Sequence, residues 1–128
     1  MVIDAELMFF EDEAAAASMT SAVIDLGKNG AVVDPLTIQA NLTAPNTSGK
    51  INTLTLESSV DQAFTSPITE AAYTVATSLD QTKACVLAQF KSPVKPGGRY
   101  VRLKAAGTSP VGGKITAFYT VGNVHNMY

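Results

Sequence analysis

The chain has 128 residues, 46% of them hydrophobic, with 9 basic against 11 acidic side chains and a net charge of −2. That length suits one domain, 1–128, with a core that needs no disulfide or metal staple, and the single cysteine, Cys85, rules out an intrachain disulfide and a four-cysteine metal site. The near-neutral balance lacks the basic footprint of a nucleic-acid binder, and no apolar run approaches the ~20 residues of a membrane-spanning helix.

Along the chain, short stretches alternate apolar and polar residues and are cut by Gly, Pro, Asn or Ser. Alternation with period two puts every second side chain on one face, the pattern of a half-buried strand. Ile3, Ala5, Leu7 and Phe9 open the series, and Glu11-Asp12-Glu13 ends that strand. Ala14 to Ala17 offer one helical turn, too short to stand alone. Ala22, Ile24 and Leu26 form the next run, stopped by Gly27, and Lys28-Asn29-Gly30 reads as a turn. Leu36, Ile38, Ala40 and Leu42 give the cleanest alternation, followed by a loop at 45–49. Asn52, Leu54, Leu56 and Ser58 make the next strand. A polar bend at 59–67 contains one aromatic, Phe64, expected to plug an end of the core.

Ala71, Tyr73 and Val75 follow, then Ala84, Val86, Ala88 and Phe90, then a Pro/Gly loop at 92–98. Val101, Leu103 and Ala105 share a face opposite Tyr100, Arg102 and Lys104. A turn is expected at 107–113, before Ile115, Ala117, Tyr119 and Val121. Helix is limited to one or two turns, at 12–19 or 59–64. About eight short strands with turns between them predict an all-β fold, a jelly-roll-like antiparallel β-sandwich or a barrel.

Few residues are placed for chemistry. His125, the only histidine, lies near the chain end and lacks the setting of a catalytic base. Cys85 sits in an apolar strand, where inert thiols are common. Glu11-Asp12-Glu13 lacks the spaced ligands and turn glycine of a calcium loop. Glu57, Asp61 and Glu70 are candidates for a glycosidase pair, but each alternates with apolar neighbours as an outward residue does. Gly97-Gly98 and Gly112-Gly113 match no phosphate loop. The expectation is a protein that is not an enzyme and has no metal or cofactor.

Four stretches, MVIDAELMFF at 1–10, SAVIDLG at 21–27, LTLESSVDQAFTSP at 54–67 and PGGRYVRLKAAG at 96–107, in this order and spacing, resemble the capsid-stabilising (cement, or decoration) proteins of tailed bacteriophages, of the type known from a Bordetella phage. The resemblance covers essentially the whole chain. It implies a jelly roll on the outer surface of the virion head that bridges subunits of the major capsid protein, and it carries over no catalytic residues. The N-terminus has no basic segment leading into a continuous apolar run, which fits synthesis in the host bacterial cytoplasm.

An Arg–Tyr pair on an outward strand is a typical interface anchor. With the resemblance, this marks Tyr100, Arg102 and Lys104 as a protein-binding face, where reversal of Arg102 is expected to cost the fold little. Met8, Phe10, Met127 and Tyr128 have no evident place in a monomer core and predict self-association, as a dimer before a trimer. The rival readings are a carbohydrate-binding jelly roll, another virion part from the tail or head completion, and a small hydrolase. The absence of Trp weakens the first, and the scarcity of His and Cys weakens the last.

Overall fold

A computed structural model describes residues 8–25, 36–92 and 99–120. The expectations for Ile3 to Leu7, for Lys28-Asn29-Gly30, for 93–98 and for Val121, His125, Met127 and Tyr128 lie outside these residues. The described chain forms β1 (Met8–Ala14), β2 (Ser18–Thr20), β3 (Ile24–Asp25), β4 (Leu36–Ala44), β5 (Ser48–Ser59), β6 (Ile68–Thr74), β7 (Cys85–Ser92), β8 (Tyr100–Val111) and β9 (Lys114–Thr120). One sheet has the order β1-β9-β4-β7; the other has β2-β8-β5-β6, with β3 also on β8. All pairings are antiparallel.

β2 and β3 occupy one position in the sheet, because both pair with β8. Ser21 makes the break between them. Its hydroxyl accepts the Leu103 N–H at 2.8 Å and donates to the Ala22 carbonyl, taking the place of a ladder bond. Eight strand positions in two packed sheets, connected in this order, make the fold a jelly-roll β-sandwich.

The sequence alternation is realised most cleanly on the central strands. Ile38, Ala40 and Leu42 of β4, Leu54 and Leu56 of β5, Val101 and Leu103 of β8, and Ile115 and Ala117 of β9 are all buried and fill the space between the sheets. At about 25 cal/mol per Å² of apolar surface removed from water, this shared interior dominates the stability. Tyr73 of β6 and Phe90 of β7 stack across the seam between the sheets, with centroids 5.4 Å apart.

Bulges account for several departures from simple alternation. In β7, Ala40 pairs with Ala88 but Asn41 pairs with Val86, so Leu87 is an extra residue. Leu87 and Ala88 both turn inward, and Val86, expected in the core, is 51% exposed. One inserted residue flips every side chain beyond it to the other face. In β1 the register shifts between Met8 and Phe10, and Phe9 and Phe10 are both buried, at 3% exposure each. Phe10 therefore has a place in the monomer core and is withdrawn from the candidate interface.

Four further expectations are corrected. Glu11 to Glu13 continue β1 instead of ending it, and residues 12–19 contain no helical turn. Residues 107–111 extend β8, so the predicted turn shrinks to the tip at Gly112-Gly113. Phe64 is buried but does not belong to the core cluster.

One end of the sandwich is tied by a buried amide pair. Gln81 donates to the Ile51 carbonyl and accepts the Ile51 N–H, both at 2.8 Å, and also accepts from Asn46 Nδ2 at 3.2 Å. Asn46 lies against Gly113 at the β8–β9 tip, where a Cβ would fall 2.1 Å from Asn46 Oδ1 and 2.8 Å from its Cγ. Gly113→Ala is expected to push Asn46 off Gln81 and to cost about 1–3 kcal/mol, as overpacking does in a tight site. The check is urea unfolding: a lower midpoint at an unchanged m-value shows the loss, and an unchanged midpoint shows that Asn46 yields freely.

Candidate interaction surface

β5 and β8 are the longest strands and run side by side in the centre of their sheet. Residues directly opposite in an antiparallel pair lie on one face. Glu57 therefore meets Arg102, Thr55 meets Lys104, Ser59 meets Tyr100 and Thr53 meets Ala106 on the side away from the core. The sequence expectation that Tyr100, Arg102 and Lys104 share a face holds, and all three are half-buried.

Arg102 is committed within the molecule. Its Nε donates to Glu57 Oε1 at 2.8 Å, and its guanidinium lies 4.2 Å from the centroid of the Phe64 ring. Only 22% of the Arg102 side chain and 14% of the Glu57 side chain remain exposed. Phe64 reaches this position because the segment after β5 folds back over the outer face instead of capping the core. Its backbone has φ +55°, a region costly for a bulky side chain.

Asp61 holds that turn. Its carbonyl accepts the Phe64 N–H at 3.2 Å. Its carboxylate accepts from the Thr65 hydroxyl at 2.6 Å and from the Ser59 hydroxyl at 2.7 Å, while Ser59 Oγ accepts the Asp61 N–H. The hydrogen bonds from Thr65, then from Ser59, hold the Asp61 carboxyl below the usual carboxylate range. At the same end, Val60 and Ile68 expose apolar side chains at 69% and 43%.

Beside this segment, at the start of β8, Arg99 forms two hydrogen bonds with Asp25, at 2.8 and 2.9 Å, and lies over the Tyr100 ring. Lys104 differs from both arginines: it has no ion-pair partner among the described residues. Beside it is a hollow of about 230 Å³, lined by Ser18, Thr53, Thr55, Glu57, Lys104, Ala105 and Ala106.

The remaining candidates are dispersed. Met8 is half-buried on β1, in the opposite sheet. Glu57 is held by Arg102 and Glu70 accepts from Ser58, so with Asp61 occupied as above each of the three carboxylates considered for glycoside hydrolysis has a structural partner. Burial, with a smaller contribution from the Asp80 charge, pushes the Cys85 thiol up and keeps it protonated at neutral pH. Glu11 and Glu13 are exposed, and Asp12 between them accepts from Thr43 at 2.8 Å. Among the described residues, no group of three or more His, Cys, Asp or Glu side chains is arranged to hold a metal ion.

Sequence reasoning put Tyr100, Arg102 and Lys104 on one face but missed the pairing of Glu57 with Arg102, the place of Phe64 over the outer face and the threonine rows of β5. Glu57 is 45 positions from Arg102, and no local pattern links the two. A jelly roll with a pre-ordered polar outer face defines a structural class, a β-sandwich scaffold presenting a sheet surface. No protein-family model matches the chain, and no curated protein matches it.

Proposed function

We propose that the chain is an accessory structural protein of a phage virion, which binds the outside of the icosahedral head and bridges subunits of the major capsid protein. The strand order carries this reading: the sequence resemblance implies a jelly roll, and β1-β9-β4-β7 over β2-β8-β5-β6 is a jelly-roll order. The outer face of β5 and β8 supports it further. Arg102, Glu57, Phe64 and Asp61 order that face before any partner arrives, which lowers the entropic cost of binding. Self-association, dimer before trimer, belongs to the proposal; Phe10 lends it no support, being in the core.

A carbohydrate-binding role has less behind it. Sugar sites commonly present an exposed aromatic platform, whereas Tyr73 is stacked on Phe90 and Tyr100 lies beneath Arg99. The test of the main reading is decoration. Purified protein is added to phage heads assembled without it and imaged by cryo-electron microscopy. Added density at junctions between capsid subunits, with heads that withstand higher temperature, is the expected result. Heads that stay bare at micromolar protein overturn it.

A further inference from the structure

We infer that the hollow beside Lys104 is a docking point for a carboxylate side chain, Asp or Glu, presented by a protein partner. This rests on reading the outer face of β5 and β8 as an interface, and it names the chemistry that the face selects. Three strands build the hollow. Ser18 comes from β2, Lys104 and Ala106 from β8, and Thr53, Thr55 and Glu57 from β5. Ser18, Ala106, Thr53 and Thr55 have short side chains, and the space arises where they stand next to longer ones. At about 230 Å³ it admits a single side chain rather than a folded element.

The charge of the hollow decides its occupant. Glu57 is neutralised by Arg102 at 2.8 Å. Lys104 has no such partner among the described residues, so among them the hollow presents one positive charge without an ion pair, on a chain whose net charge is −2. An ammonium offers three donors and no acceptor, and the threonine hydroxyls beside it are free to rotate and donate as well. A carboxylate accepts from all of these and brings the opposite charge; an amide oxygen accepts but leaves the positive charge unbalanced, and a cation is repelled. Like-charge juxtaposition would in turn exclude partners that bring Lys or Arg to this point.

The experiment is a titration of the ¹⁵N-labelled full chain with hexaglutamate, with hexaglutamine as the neutral control, followed by amide chemical shifts. Saturable shifts confined to the amides of Ser18, Thr53, Thr55, Lys104 and Ala106 are expected with hexaglutamate only. Lys104→Ala should weaken the binding by about tenfold, Lys104→Arg should largely retain it, and Arg99→Ala should leave it unchanged. Shifts spread over all basic residues alike, or surviving in Lys104→Ala, overturn the proposal, as does the absence of shifts. A second arm compares head decoration by wild-type and Lys104→Glu protein. If wild-type protein leaves heads bare while hexaglutamate still binds the hollow, the capsid reading falls and the docking point stands. If Lys104→Glu decorates heads as fully as wild type, the hollow is not a partner contact and the proposal falls.

Discussion

Arg102→Glu is expected to lower the melting temperature by roughly 10 °C, through a loss of about 2–4 kcal/mol. From sequence alone this position reads as an outward residue whose reversal costs almost nothing. The structure changes that expectation. The substitution removes the bond to Glu57, places a second carboxylate opposite the first in the β5–β8 pair, and strips the cation from the Phe64 ring. Both partners of the pair are mostly withdrawn from water, so solvent screening offers little relief. Phe64 then loses the group that offsets its positive φ, and the segment it anchors is expected to loosen. Arg102→Met separates the contributions: it keeps an apolar stem over Phe64 but leaves Glu57 unpaired, and it should fall between wild type and Arg102→Glu. Thermal unfolding followed by circular dichroism measures all three. A shift of only one or two degrees for Arg102→Glu would show a solvated pair of little value. It follows that loss of capsid decoration in an Arg102 variant reports on folding as much as on binding, which makes Lys104 the cleaner probe of the interface.

Gln81→Leu should destabilise the protein at least as strongly. Gln81 is only 5% exposed, and its amide group serves both the N–H and the carbonyl of Ile51 as well as the Asn46 side chain. Leucine is similar in size but satisfies none of them. Each buried group left without a partner costs about 1–3 kcal/mol, so a loss of roughly 3–6 kcal/mol is expected, with some of it recovered if water enters. Gln81→Glu is the informative companion. It keeps an acceptor for Ile51 N–H and Asn46 but loses the donor to the Ile51 carbonyl, and it places a charge in a dry site. Urea unfolding of the two variants decides the point. A loss below about 1 kcal/mol in Gln81→Leu would mean that water replaces the amide with ease.

These two sites also show where the sequence stops being informative. Gln81 sits in a polar stretch between strands and carries no mark of burial; its partners lie 30 and 35 positions earlier. Phe64 is conspicuous as a lone aromatic in a polar bend, yet an aromatic there suits the core as well as the outer face. Only the position of Arg102, brought alongside through the β5–β8 pairing, settles which. The bulges at Phe9 and Leu87 are equally silent. An alternating run such as Ala84-Val86-Ala88-Phe90 reads the same whether or not a residue is inserted opposite β4, so alternation alone puts Val86 on the wrong side.

Along β4, β8 and β9, in contrast, the chain by itself determined which side chains face inward. Ile38, Ala40, Leu42, Val101, Leu103, Ala105, Ile115 and Ala117 are all buried where alternation puts them. Period two is a property of extended backbone, so it is written locally in each strand. The sandwich class follows as well, because two-faced strands must bury their apolar sides against one another. The tertiary structure alone decided the β2/β3 break at Ser21, the inward turn of Phe10, the commitment of Arg102 to Glu57 and Phe64, and the lack of an ion-pair partner for Lys104 among the described residues. Each depends on a neighbour supplied by a distant strand, whose register is fixed by the packed sheets and not by the residues beside it in the chain.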